Sequence, residues 1–107
     1  MEMIFYVEDD TLIAALSGEI DHHVAEKYRK DIDEEMTLCG TKDLIFDFGK
    51  VTFMDSSGIG MVLGRYKKVH SAGGRVTIRN ASRLVKQILD MSGVFTLMEY
   101  EEVQSDV

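Results

Sequence analysis

One stretch of the sequence decides the fold, Met54-Asp55-Ser56-Ser57-Gly58-Ile59-Gly60. An extended apolar run precedes it, and apolar residues at helical spacing follow it. The serine pair is therefore predicted to cap a helix that begins where a strand has ended. A helix start offers unpaired N–H groups and the positive end of the peptide dipoles, so it stabilises either a capping hydroxyl or an anion such as a phosphate. The pair can be a simple cap or a regulatory switch.

Length and composition restrict the class of protein. The chain has 107 residues, of which 45% are hydrophobic, so residues 1–107 are interpreted as a single domain with one core. The net charge of −7 opposes nonspecific binding to nucleic acid or to an anionic membrane face. Neither a basic leader nor an apolar run of about 20 residues is seen, which predicts a cytoplasmic protein without a membrane span. A partner attracted by charge should present a basic surface.

Cysteine and histidine give little support to metal chemistry. Cys39 is the only cysteine, which excludes an internal disulfide and a zinc site built from cysteines. Beside Leu38, it is predicted to be a small buried apolar side chain. The run Asp21-His22-His23 could supply metal ligands, but adjacent helical residues point about 100° apart and converge poorly on one ion. We therefore predict neither a metal site nor a cofactor.

Local patterns predict a hairpin followed by alternating helices and strands. Strands are predicted at 4–7, 11–17, 43–48, 75–79 and 96–100. Helices are predicted from a cap at Asp21 to about Gly40, from about Ser57 to Ala72, and from a cap at Asn80 or Ser82 to Gly93. Residues 101–107 are polar and are expected to be frayed.

This order of elements is typical of an α/β fold with a mixed sheet of about five strands, parallel through its later strands. Strand-to-helix loops of such a sheet emerge at one edge, where ligands and partners usually bind. Loops 18–21, 54–60 and 80–82 should therefore lie near one another. We expect the serine pair on an exposed rim, where one neighbouring loop supplies Glu19 and Asp21 and another supplies Asn80 and Ser82.

Two other chemistries, nucleotide binding and hydrolysis, use loops of related sequence. Gly58, Gly60 and Gly64 follow a strand as phosphate-cradling glycines do, but their spacing departs from the dinucleotide pattern and no P-loop lysine follows. Gly58 and Gly60 are instead interpreted as residues that allow a turn, and Gly64 as a residue that allows the helix to pack closely. A hydrolase is disfavoured because Ser57 lies in no Gly-x-Ser-x-Gly frame. A small nucleotide-binding protein stays open as an alternative.

Four motifs extend in order along nearly the whole chain: Gly18-Glu19-Ile20-Asp21-His22-His23, Phe53-Met54-Asp55-Ser56-Ser57-Gly58-Ile59-Gly60, Leu63-Gly64-Arg65-Tyr66-Lys67 and Asp90-Met91-Ser92-Gly93-Val94-Phe95. Together they resemble the anti-sigma-factor antagonists of the STAS domain family, most closely those of the sporulation sigma-F system. The resemblance implies a mixed sheet with helices packed mainly on one side. Arg83 departs from the family, whose close members have a proline there, and the chain ends where relatives often continue into another helix.

The resemblance implies a binding module and not an enzyme. In this family the unphosphorylated antagonist binds an anti-sigma factor that is also a serine kinase with bound ATP or ADP, and the sigma factor is released. The kinase phosphorylates the second serine, here Ser57, and a serine phosphatase reverses the step. The free protein is expected to be a monomer. A STAS module of a stress-response complex is the alternative within the family.

The implied partner surface combines the family motifs with the predicted rim. Its expected residues are Glu19, Asp21, Asp55, Ser56, Ser57, Gly58, Ile59, Gly60, Asn80 and Ser82. Phosphorylation adds about −1.5 to −2 charges at neutral pH. Because this charge would join carboxylates on an acidic rim, we expect it to disrupt the interface without refolding the domain.

Overall fold

The computed structural model describes residues 3–103. Strands and helices alternate after an initial hairpin, as the sequence patterns predict. The elements are β1 (Ile4–Glu8), β2 (Thr11–Ile20), α1 (His22–Cys39), β3 (Asp43–Met54), α2 (Ser56–Ser71), β4 (Val76–Arg79), α3 (Arg83–Met91), a 3₁₀ turn (Val94–Thr96) and β5 (Glu99–Glu101).

The five strands form one mixed sheet in the order β1-β2-β3-β4-β5. β1 is antiparallel to β2, and the other neighbouring strands are parallel. Each parallel connection advances the chain by one strand in the same direction. Right-handed crossovers therefore place α1, α2 and α3 on the same side of the sheet. The predicted α/β fold with a mixed five-stranded sheet is confirmed.

The core lies between the sheet and the three helices. Successive strand residues face opposite sides, so alternate residues of each strand enter it, while helices contribute residues at three- and four-residue spacing. The largest fully buried side chains are Tyr28, Phe46, Phe48, Leu12, Leu16, Ile20, Ile32, Leu44, Met54, Ile78, Leu89 and Val62. Every helix and each of the strands β2, β3 and β4 supplies at least one of them.

β3 continues six residues beyond its predicted end at Phe48. Buried positions alternate up to Phe48, and the next ones, Val51 and Met54, follow at intervals of three. The stretch 15–20 of β2 pairs with 47–54 of β3 through two register shifts, so β3 carries two bulged residues. Bulges interrupt the period-two pattern by which a strand is recognised, which explains the short prediction.

The ends of α1 and α3 test the predicted caps. Oδ1 of Asp21 accepts the N–H of Val24 at 2.9 Å, and α1 stops at Gly40, whose φ of +65° suits glycine. Ser82, not Asn80, caps α3, since its Oγ accepts the N–H of Val85 at 3.3 Å. α3 ends before Gly93, and the sequence patterns missed the 3₁₀ turn that follows.

Two expectations about side chains and chain ends are wrong. Cys39 is exposed, not buried, because it lies on the outward side of the last turn of α1 beside Leu38, which is 81% exposed. Its Sγ donates to a carboxylate oxygen of Glu35 at 3.3 Å, and this hydrogen bond raises the pKa of the thiol. Glu101 is not frayed but closes β5, while residues 104–107 of the predicted frayed segment lie outside the described residues.

None of the helices formed by residues 3–103 combines the length and the apolar character that crossing a membrane requires.

Candidate functional site

The ends of β2 and β3 bring two of the predicted loops together at one edge of the sheet. Ile20 pairs with Met54, and the carbonyl of Ile20 accepts the N–H of Asp55 at 3.2 Å. Each strand is followed at once by a helix with an aspartate cap, Asp21 for α1 and Asp55 for α2. The expected proximity of loops 18–21 and 54–60 is confirmed.

Asp55, and not the serine pair, caps α2. Its Oδ1 accepts the N–H of Ser57 at 2.8 Å, and its extended backbone is the one an N-cap residue needs. The prediction that the serines cap this helix is therefore wrong. Ser56 and Ser57 are the first two residues of the helix, with Ser56 exposed and Ser57 half-buried. Since a carboxylate supplies the cap, neither hydroxyl is required for it.

The three glycines of α2 have different surroundings. A Cβ on Gly58 would lie 2.8 Å from Sδ of Met54, so this glycine lets the first turn of α2 pack on the end of β3. A Cβ on Gly60 or Gly64 would have no heavy atom within 4 Å. The interpretation of Gly64 as the packing glycine is wrong, because the close approach occurs at Gly58. Gly60 and Gly64 face open space.

That space is a groove of about 370 Å³ between α1 and α2, called here the Ser57 groove. Both helices follow parallel strands, so their N-terminal ends lie side by side. The residues that line the groove are His22, Ala25, Glu26 and Arg29 from α1 and Ser57, Gly60, Met61, Gly64 and Arg65 from α2. Ser57 thus shares an open space with one carboxylate and two guanidinium groups.

Two of these charges form an exposed pair on α1. A guanidinium nitrogen of Arg29 donates a hydrogen bond to Oε1 of Glu26, one turn earlier. The side chains of Arg29 and Glu26 are 40% and 53% exposed. Their hydrogen bond is the main cause that lowers the pKa of the Glu26 carboxyl and raises the pKa of the Arg29 guanidinium.

Arg65 is held more firmly, by a bridge between the two helices. Its side chain is 8% exposed, its Nε lies 2.8 Å from Oδ1 of Asp33 on α1, and its Nη1 donates to the carbonyl of Met61 at 3.2 Å. Burial lowers the pKa of the Arg65 guanidinium, while the charge of Asp33 opposes this effect. Lys68 also contacts Asp33, at 3.1 Å. Sequence reasoning missed the bridge because no local pattern links residues that lie 32 positions apart.

The third predicted loop lies elsewhere. β4 ends at Arg79, which lies opposite Asp47 of β3. Beyond this point β3 continues to Met54 and pairs with five more residues of β2, so the end of β4 lies about 16 Å short of the rim. Asn80 lies beside Gly49 and accepts the N–H of Val103 at 2.7 Å with its side chain. The structure therefore does not bring Asn80 or the α3 cap Ser82 next to the serine pair.

Residues 2–107 match the STAS domain family. The chain belongs to this family. The anti-sigma F factor antagonist of Paenibacillus polymyxa is 39% identical to this STAS domain over 87 residues, which are 81% of this chain and 74% of that protein.

Two solved structures are similar over nearly the whole STAS domain. The anti-sigma factor antagonist SpoIIAA in its unphosphorylated form has 28% identity and a TM-score of 0.72, with 97% of this chain and 89% of that chain covered. SpoIIAA of Bacillus in its phosphorylated form has 27% identity and a TM-score of 0.77, with 98% and 94% covered. The predicted family and its fold are confirmed.

The remaining candidate chemistry of the STAS domain is metal binding. His22 and His23 are both exposed in the first turn of α1, with ring centroids 5.9 Å apart. Among residues 3–103, no group of three or more histidine, cysteine, aspartate or glutamate side chains is arranged to hold a metal ion.

Proposed function

We propose that this STAS domain is an anti-sigma-factor antagonist that works by partner switching. The unphosphorylated domain binds an anti-sigma factor and so releases a sigma factor, and phosphorylation of Ser57 ends the binding. Two similarities support this role: the Paenibacillus polymyxa relative is an anti-sigma F factor antagonist, and SpoIIAA occurs in an unphosphorylated and a phosphorylated form. The domain acts as a binding module and not as an enzyme, and it works in the cytoplasm as a monomer when free.

One observation carries the proposal: Ser57 is in the first turn of a helix at the rim of the sheet, yet its hydroxyl is not needed for the cap. Its N–H is bound by Asp55, and its side chain lines an open groove. A helix start accepts a phosphate locally because its dipole favours negative charge. The domain can therefore carry a phosphoserine there without losing its fold. We assign Ser57 as the phosphoacceptor, and Ser56 as its exposed neighbour on the partner surface.

Charge explains how the modification ends binding. Glu19, Asp21 and Asp55 already make this rim acidic, and a phosphate adds about −1.5 to −2 charges. A partner surface packed against the rim would meet both repulsion and bulk. A coupling of about 3 kcal/mol weakens binding roughly 150-fold. The proposed contact surface is centred on residues 19–21 and 55–60, and Asn80 and Ser82 would extend it only for a partner that reaches back along β3.

The proposed partners are those that the family resemblance implies. The anti-sigma factor is itself the serine kinase and uses its own bound ATP, and a serine phosphatase removes the phosphate. Because the rim is acidic, the kinase surface that contacts it should be basic. The stress-response alternative differs in the identity of this partner and not in the mechanism.

Phosphorylation with a matched pair of variants tests the proposal. The domain is incubated with its cognate kinase and ATP, and the products are examined by intact mass and peptide mapping. We expect one phosphoryl group on the wild type and on Ser56→Ala, and none on Ser57→Ala. Modification only at Ser56, or none with a kinase that is active on another substrate, would refute the assignment.

Binding measurements complete the test. We expect Ser57→Ala to bind the kinase like the wild type, and Ser57→Asp to bind at least tenfold more weakly. Equal affinity for Ser57→Asp and Ser57→Ala would contradict a switch based on charge. Calorimetry with ATP or GTP and the isolated domain tests the nucleotide-binding alternative, for which we expect no heat of binding.

A further inference from the structure

The Ser57 groove contains a cation whose partner can be exchanged. Arg29 is held by Glu26 on the same helix, and both side chains are substantially exposed. Exposed ion pairs contribute little to stability, so breaking this one costs little. The same groove is lined by Ser57, the residue whose phosphorylation we propose.

We infer that a phosphate on Ser57 is bound by Arg29 of the same chain. To do so, Arg29 gives up its ion pair with Glu26 and pairs with the phosphate instead. The inference rests on the proposed modification of Ser57. A guanidinium binds a phosphate through two parallel N–H···O bonds, which are stronger and more directional than its single contact with a carboxylate oxygen. Phosphorylation would therefore rearrange the charges of α1 as well as add charge to α2.

The relative placement of the helices makes this exchange feasible. α1 and α2 begin side by side, and α1 presents His22, Glu26 and Arg29 to the groove on successive turns. Helical side chains tilt toward the N-terminus of their own helix. This tilt directs the long Arg29 side chain back toward the level of Ser57, along the path on which it already reaches Glu26.

Arg65 is the less suitable cation of the groove. Its side chain is only 8% exposed and is bound to Asp33 and to the carbonyl of Met61. Moving it to a phosphate would leave Asp33 with only the exposed Lys68 as a partner. Removing one member of a buried pair is strongly unfavourable. Arg65 thus keeps α1 and α2 together while Arg29 moves.

The other charges at the start of the two helices and in the groove set the balance of the exchange. The caps Asp21 and Asp55 and the groove residue Glu26 oppose a phosphate, whereas Arg29 and Arg65 favour it. His22, at the start of α1, lines the same space. Glu26 competes with the phosphate for Arg29, so removal of the Glu26 carboxylate should strengthen the contact between Arg29 and the phosphate.

The experiment uses phosphoserine incorporated at position 57 during translation, so it does not depend on the kinase. The pKa of the phosphate, ordinarily about 6, is measured by ³¹P NMR titration in the wild type and in three variants. Arg29→Gln removes the inferred ligand, and Glu26→Gln removes its competitor. Lys27→Gln is the matched control, because Lys27 makes an exposed pair with Asp31 on the same helix and does not line the groove.

We expect the phosphate pKa to be about 0.5 higher in Arg29→Gln than in the wild type, lower in Glu26→Gln, and unchanged in Lys27→Gln. In a second measurement, the Nε–H resonance of Arg29 should move on phosphorylation while that of Arg65 stays in place. Equal pKa values for Arg29→Gln and Lys27→Gln, or an unmoved Arg29 resonance, would overturn the inference. Failure of the kinase to modify Ser57 would instead refute the proposed function, and the two failures are distinguishable.

Discussion

The amide of Ser57 donates a 2.8 Å hydrogen bond to Oδ1 of Asp55, so the proposed phosphoacceptor is tied to the cap of its own helix. The cap fixes the first turn of α2 independently of the serine hydroxyls. Modification and helix stability are therefore separable properties of this loop, and each can be changed without the other.

The cap itself can be tested by two substitutions of one residue. Asp55→Ala removes the acceptor for the Ser57 amide and should lower the free energy of unfolding by about 1 kcal/mol. Asp55→Asn keeps an oxygen acceptor and should stay within about 0.5 kcal/mol of the wild type. Urea denaturation measures both values. An equal loss in the two variants would show that the carboxylate charge, and not the cap, stabilises the helix.

The glycines of α2 should respond to alanine in opposite directions. Gly60→Ala and Gly64→Ala each fill open space and restrict the unfolded chain, so each should raise the free energy of unfolding by about 0.5–1 kcal/mol. Gly58→Ala should lower it, because the new Cβ would contact Met54. Thermal and urea unfolding of the three variants checks this pattern. A stabilising Gly58→Ala would contradict the close packing seen there.

The bridge between α1 and α2 should depend more on Asp33 than on Lys68. Asp33→Ala leaves the buried Arg65 without its carboxylate and should cost about 2–3 kcal/mol in the free energy of unfolding. Lys68→Ala removes a side chain that is 63% exposed and should cost less than about 1 kcal/mol. The comparison is made by urea denaturation at constant salt. Similar losses in both variants would mean that the burial of Arg65 adds little to the free-energy cost of removing Asp33.

The pKa of Glu26 offers a measure of its pair with Arg29. The pair lowers this pKa in the folded protein, so its contribution to stability is present above the pKa of the unfolded chain and is lost as pH falls through the lower folded value. In Arg29→Gln the Glu26 pKa should rise toward the ordinary range of a glutamate carboxyl, because the hydrogen bond that lowers it is lost. Carbon-detected NMR titration of the Glu26 carboxyl follows the change. An unaltered value would exclude Arg29 as the cause.

Phosphorylation should leave the sheet unchanged. Amide spectra of the unmodified and phosphorylated domains are expected to differ within 18–29 and 54–65, which surround the Ser57 groove. Amides of β1, β4 and β5 lie away from this edge and serve as the internal control. Large shifts throughout those strands would contradict a switch that acts at the interface.

Much of the fold could be predicted because local sequence patterns determine where its helices begin and end. The helical spacing after Asp21, the caps at Asp21 and Ser82 and the glycine at position 40 all reappear in the structure. The end of β3 could not be predicted, since two bulges hide the alternation on which a strand prediction depends. Nor could the exposure of Cys39 be predicted, because a helix pattern defines the buried side of the helix poorly in the last turn.

The geometry around Ser57 was predicted in outline and not in detail. The order of strands places loops 18–21 and 54–60 together, which follows from topology alone. The short length of β4 keeps Asn80 away from them, and strand length is poorly determined by sequence patterns. The assignment of the cap to Asp55 and the pairing of Arg65 with Asp33 depend on side-chain geometry, which only the structure provides.

The exposed position of Cys39 has a practical consequence. It lies at the far end of α1, whose 18 residues extend about 27 Å from the rim that carries Ser57. A fluorescent dye coupled to this single native thiol would therefore sit clear of the proposed contact surface. Energy transfer from such a dye to a labelled partner can follow assembly and release in real time with no engineered cysteine.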